Sequence, residues 1–206
     1  MGEQLDNKEG SSTINNILNS AKAEFLQKGF KDASLRNIAK QAGVTTGAIY
    51  GYFKDKDDIF VTIVKDVLDG FYKLIEEVEA VERSLSKEGI GFPEQIFSAK
   101  KSHLRYLKYL YDNYDICKLV IMCSSGSSIE DFMDQFMEKS LEELKGFIYS
   151  IKKTSDLDEF TIHILIEFYI KSMTEFIKHD IPYETAVKQF ENINTFFFAG
   201  WKELME

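Results

Sequence analysis

Between residues 34 and 56 the chain concentrates side chains whose donors and charges suit a polyanion: Ser34, Arg36, Thr45, Thr46, Tyr50, Tyr52, Lys54 and Lys56. They surround a compact pattern, Ile38-Ala39, then Ala42-Gly43-Val44-Thr45, then Gly47-Ala48-Ile49. Ala39 is small enough to let two short helices approach closely. Gly43 permits a sharp turn with positive φ. Val44 and Ile49 plug the space beneath. Two short helices joined in this way form a helix-turn-helix, whose second helix stands outward and is narrow enough to enter the major groove of duplex DNA.

The charge distribution agrees. The net charge is −9, which taken alone argues against a nucleic-acid partner. Residues 12–56, however, hold seven basic side chains (Lys22, Lys28, Lys31, Arg36, Lys40, Lys54, Lys56) against three acidic ones (Glu24, Asp32, Asp55), a net +4 that leaves the remainder at −13. A basic head on an acidic body suits a DNA contact confined to one end.

The elements that must position this head read as helices. Only 2 prolines and 12 glycines punctuate 206 residues, and no segment alternates as a strand hairpin would. Residues 1–11 are polar and aperiodic and are expected to form a disordered leader. Ile14, Ile17, Leu18, Ala21 and Phe25 repeat at helical spacing, and Gly29 ends that helix. Ser34 is a plausible N-cap for the second helix, Thr45 for the third and Asp55 for the fourth. Ser124–Ser128 breaks the later helices. The expected fold is all-α with about nine helices: a helix-turn-helix domain over 12–56, and a helical ligand-binding and dimerisation domain over 57–206.

From Ile14 to Phe60 the chain resembles the TetR/AcrR regulators. Its Gly29-Phe30, Ser34, Ile38-Ala39, Ala42-Gly43-Val44-Thr45, Gly47, Tyr50, Phe53, Lys56 and Phe60 stand at that family's spacing. Gly51 and Tyr52 depart from it, where the family often has an aromatic or polar residue and a histidine. The resemblance implies a cytoplasmic, DNA-binding transcriptional regulator, most simply a repressor that leaves a palindromic operator when a small, hydrophobic molecule binds. The alternative is a ligand-independent regulator, or an activator working through protein contacts.

It also implies roles. Thr45, Thr46, Gly47 and Ala48 begin the recognition helix, with Thr46 as the leading candidate for a base or phosphate hydrogen bond. Gly47 allows close backbone approach. Tyr50 and Tyr52 reach phosphates or thymine methyls, Lys54 and Lys56 neutralise phosphates, and Ser34 and Arg36 are further contacts. Plainer alternatives are that Tyr52 packs on the small core and that Arg36 is merely solvated.

The acidic body must then supply dimerisation and sensing. The family resemblance places the dimer interface on the last two helices, and Phe190, Ile193, Asn194, Phe197 and Trp201 give the final helix an aromatic face. Intrachain core is the alternative for each of them. Residues 93–180 are rich in tyrosine, phenylalanine and methionine, which suits a lipophilic ligand. Candidate lining residues are His103, Tyr106, Met122, Phe136, His163, Glu167 and Tyr169, each with ordinary core or surface as the alternative. A ligand would act by tilting the fourth helix and changing the separation of the two recognition helices.

Other chemistries find little support. There is no GxSxG, no HExxH and no phosphate-binding glycine loop, so an enzyme is not expected. Three scattered histidines suggest neither a metal nor a cofactor. Cys117 and Cys123 read as reduced thiols. No apolar run approaches the ~20 residues that span a bilayer.

Overall fold

The computed structural model describes residues 2–87, 92–151 and 158–205. Among the described residues the chain is all-helical: α1 (Gly2–Asp32), α2 (Leu35–Ala42), α3 (Thr46–Tyr50), α4 (Lys56–Lys87), α5 (Phe92–Asp112), α6 (Tyr114–Met122), α7 (Phe132–Ile151), α8 (Glu159–Lys178) and α9 (Tyr183–Met205). The first helix begins at Gly2, so the expectation of a disordered leader over 1–11 is corrected. No proline interrupts this stretch, and Gly10 alone cannot stop a helix that continues for about five more turns before Gly29. Gly29 does break the geometry, with φ 74° and ψ 164°, and the chain turns there toward α2. The polar stretch Ser84 to Gly91, with its two glycines, reads from sequence as a loop. Helix α4 continues to Lys87, and residues 88–91 lie outside the described residues.

The chain divides into two compact units. One comprises residues 1–68 and 115–132, the other 69–114 and 133–206. The boundary expected at 56/57 therefore differs from the packing. Helix α4 runs through both units, and α6 with its following loop belongs to the N-terminal unit. Periodicity marks helices but does not say which distant helix completes a small core.

In the first unit Ile17, Ala21, Phe25, Ile38, Ala39, Ile49, Phe53, Ile59, Phe60 and Val64 are buried. The Phe25, Phe30 and Phe60 rings form its centre, with centroids 5.0 to 5.8 Å apart. Such aromatic clusters add to area burial through edge-to-face contacts. In the second unit Leu107, Ile162, Ile166, Tyr169, Phe176, Ala186, Phe190, Phe197 and Trp201 make the core.

Candidate nucleic-acid interface

The helix-turn-helix is held by backbone geometry anticipated from residue types. Gly43 closes α2 at φ 71°, and its N–H reaches the carbonyls of Ala39 and Lys40. Val44 N–H donates to Ala39 O at 3.0 Å. Thr45 caps α3, its hydroxyl accepting from Ala48 N–H at 3.1 Å. Asp55 caps α4 by accepting from Asp58 N–H at 2.9 Å, and Asp58 in turn accepts from Lys54 N–H at 2.9 Å. These reciprocal bonds satisfy donors that a helix start leaves open.

With Ile49 and Phe53 buried, α3 turns its other side outward. Thr45 and Gly47 are exposed, while Thr46 and Ala48 are half-buried. Tyr50 is 56% exposed and Tyr52 45%, so Tyr52 does not serve the core. Arg36 and Lys54 are exposed, and Ser34 is half-buried at the start of α2. Hydroxyls, phenols and cations are thus at least partly exposed along the helix-turn-helix segment. That arrangement can bond phosphates and base edges. Thr45 uses an acceptor lone pair on its cap and keeps its O–H, and the half-buried Thr46 hydroxyl stands beside it.

Lys56 does something else, and its expected role as a phosphate contact is corrected. Its Nζ donates to the carbonyls of Phe30 at 2.6 Å, Lys31 at 3.1 Å and Ala33 at 3.0 Å. It also lies 4.5 Å from the centroid of the Phe30 ring. Burial pulls its pKa below the ordinary lysine value, against the raising effect of Asp32. Three carbonyls where α1 breaks at Gly29 share one ammonium as donor, which a phosphate would have to pull away.

The same joint is held from another side. Phe30 N–H donates to Cys123 O at 2.8 Å, and Ser128 N–H donates to Asp57 Oδ1 at 2.8 Å. Lys22 pairs with Asp115 at 2.9 Å. Residues 115–132 thereby strap the turn between α1 and α2 and the start of α4. Burial pushes the Cys117 thiol up to about 12, so it remains an unreactive apolar group.

Sequence reasoning missed Glu24. Placed on α1 and only 2% exposed, it accepts from Ser34 N–H at 3.3 Å, Asn37 Nδ2 at 3.2 Å and Gln41 Nε2 at 3.4 Å. A charged residue one position before Phe25 in an apolar stripe was the available signal.

In the second unit the candidate ligand residues separate. His103, Tyr106 and Tyr169 come together: the His103 ring centroid lies 5.7 Å from that of Tyr106 and 5.0 Å from that of Tyr169, with Phe198 at 5.5 Å. Tyr169 O–H donates to Asn194 Oδ1, so the 2.6 Å contact between His103 Nδ1 and the Tyr169 oxygen is a bond that the imidazole donates. Phe136 joins the same aromatic group through Phe71, 5.5 Å away, which also touches Tyr106 at 6.0 Å. Met122 does not: it is exposed and belongs to the first unit. His163 and Glu167 pair with each other at 3.4 Å on the partly exposed side of α8, where Glu167 also binds Lys171.

Burial lowers the His103 pKa to about 4 from an ordinary 6.5, so the folded protein holds it neutral. The unfolded chain then binds a proton that the folded chain refuses between those values. Stability should fall as pH drops from about 6.5 to about 4 and level off below, with His103 supplying on the order of 3 kcal/mol of the change. His103→Gln, which keeps a donor for Tyr169, should remove that part. Urea midpoints of the two proteins across this pH range check it, and parallel profiles would refute it.

The final helix corrects the expected dimer residues. Phe190 is fully buried within its own chain, and Asn194, Phe197 and Trp201 are nearly so. Ile193 is half-buried against the same core. Side chains with so little surface offer little to a second copy, so the intrachain alternative holds for Phe190, Asn194, Phe197 and Trp201, while Ile193 keeps some surface.

A short outward recognition helix on a basic, glycine-hinged helix pair defines a helix-turn-helix DNA-binding regulator. Residues 17–63 match the model of the bacterial regulatory proteins of the tetR family. The chain is 33% identical over 170 residues to the helix-turn-helix transcriptional regulator YdgC of Bacillus subtilis, covering 81% of this chain and 82% of that protein. It belongs to the TetR family. It is also 36% identical over 75 residues to the fatty acid metabolism regulator protein of Bacillus subtilis, spanning 36% of this chain and only 38% of that relative. In fold it is similar to FadR from Bacillus subtilis, solved in complex with stearoyl-CoA, with TM-score 0.58 and 20% identity over 90% of this chain and 97% of that one.

Proposed function

We propose that this regulator is a homodimeric repressor, acting in the cytoplasm on a palindromic operator and released by a hydrophobic effector of the long-chain acyl-CoA class. The observation that carries the DNA reading is the outward surface of Thr46, Gly47, Tyr50, Tyr52, Arg36 and Lys54 on the basic end of the chain. A single helix-turn-helix makes too few contacts for specific affinity, whereas two copies on one operator double them. The surface offered to the second copy is apolar: Phe160, Ile164 and Phe168, spaced four residues apart on α8, and Phe196 and Leu204 on α9 are all exposed. Phe160 at 70% and Phe196 at 74% are the most exposed of these, far more than an isolated chain in water favours.

The effector class rests on the aromatic second unit around His103, Tyr106, Phe136 and Tyr169, and on the likeness to a fold that binds stearoyl-CoA. Helix α4 runs through both compact units, so a ligand that prefers one setting of α4 would shift the population of DNA-competent dimers by its differential affinity. The test is fluorescence anisotropy of a duplex carrying the protein's own promoter, with and without stearoyl-CoA. Salt-sensitive binding weakened by the acyl-CoA, but not by free coenzyme A, is expected. Binding indifferent to every acyl chain length would remove the effector reading, and absence of salt-sensitive binding to any duplex would remove the whole.

A further inference from the structure

Helix α2 is tied to α1 by a carboxylate that the recognition surface does not include. Glu24 is buried, and its three donors all come from one neighbour: the N-cap amide of Ser34, and the side-chain amides of Asn37 and Gln41 one turn and two turns into α2. Ser34 caps α2 only through its backbone position. Its own side chain makes no cap bond, and its amide is satisfied by Glu24 instead. One anionic group thus completes the start of α2 and grips two successive turns of its inner edge.

A carboxylate accepts only, so both amides must present their NH2 groups inward, and the helix has one rotational setting that serves all three bonds. Helix α2 passes that setting on. Its C-terminal carbonyls hold the Gly43 turn, and Val44 N–H is bonded to Ala39 O, so α3 follows α2 as one piece. Ser34 and Arg36 ride on the same helix.

We infer that Glu24 is a positioning residue for operator recognition: its bonds to Ser34, Asn37 and Gln41 set the orientation in which α2 and α3 meet the groove. The inference rests on the helix-turn-helix reading and concerns discrimination between sequences. Base contacts need placement to within a fraction of an ångström, whereas phosphate attraction tolerates looser geometry.

The experiment uses the full-length dimer and a duplex that the wild-type protein selects from a random pool, alongside a scrambled duplex of equal length. Glu24→Gln keeps the volume but replaces one accepting oxygen by an NH2, which then faces either the Gln41 amide or the Ser34 N–H and Asn37 amide. It should weaken binding to the selected duplex about tenfold or more, the loss expected for a charge-assisted bond, while binding to the scrambled duplex at low salt stays within about twofold. Helix content by circular dichroism should be unchanged. A merely structural glutamate would lower both affinities together, in proportion to the protein unfolded.

The reciprocal variant guards the test. Glu24→Gln combined with Gln41→Glu restores a donor on α1 and an acceptor on α2, and should recover most of the discrimination even if the single variant melts. Equal losses on both duplexes, no loss at all, or no recovery in the reciprocal variant would each overturn the inference. Failure of the wild-type protein to select any duplex would instead strike the DNA reading itself.

Discussion

Replacing Phe160 and Phe196 together by aspartate should leave a folded monomer with almost no specific operator affinity. Both rings are largely exposed on the isolated chain, so no intrachain core depends on them. Under two-fold symmetry each substitution counts twice in the interface. Burying one phenylalanine is worth roughly 1.5–3 kcal/mol, so four lost rings remove about 6–12 kcal/mol of association before the added charges are considered. That is comparable to the whole stability of an ordinary micromolar dimer, about 8 kcal/mol. Operator affinity should drop about a thousandfold or more, toward non-specific binding by a lone helix-turn-helix. Sedimentation velocity and anisotropy on the same samples check both parts. A dimer that survives the double substitution would place the interface elsewhere. Phe190→Ala gives the contrast. Its ring is wholly inside the chain's own core, and its loss should cost about 3–5 kcal/mol of folding without a selective effect on association.

Lys56→Met should destabilise the N-terminal unit by about 2–3 kcal/mol, while Lys54→Met should not move stability by more than about 0.5 kcal/mol. The two lysines are two residues apart, and sequence alone assigns both to phosphates. Their surroundings differ. Lys56 Nζ serves three carbonyls at the broken end of α1, and losing it removes a donor from each, only the Phe30 carbonyl keeping a second bond from Ala33 N–H at 3.3 Å. Lys54 is exposed beyond the recognition helix, with only its backbone N–H engaged by Asp58. On DNA the order reverses. Lys54→Met should reduce the slope of log affinity against log salt by about 1 per subunit, and Lys56→Met should leave the slope of the folded fraction unchanged. Urea unfolding and a salt titration of duplex binding separate the pair. A reduced salt slope for Lys56→Met would return it to the phosphate contacts.

The strap formed by residues 115–132 bears on both expectations. It binds the α1–α2 joint through the Cys123 carbonyl and the start of α4 through Asp57, the region Lys56 also stabilises. Loosening this joint by Lys56→Met therefore acts on the same small unit that carries recognition, and its stability cost should be read from that unit's transition rather than from the chain's overall helix content.

What the linear order of residues determined was local. Gly43, Thr45 and Asp55 act over a few positions, through a positive φ and through caps that bond three residues on, so turn, recognition segment and helix start could all be read without a fold. The all-helical class followed from periodicity in the same way. Tertiary structure alone decided which side of α9 is inside, because Phe190 and Phe197 or Phe196 and Leu204 satisfy the same helical spacing and only the packing of α8 and α5 chooses between them. It decided that Lys56 belongs to α1 and Glu24 to α2, partnerships across 23 to 26 and 10 to 17 residues respectively. It also drew 115–132 into the DNA-binding unit. Hydrogen bonds and apolar contacts between distant segments have no period, and they exist only once the chain has closed on itself.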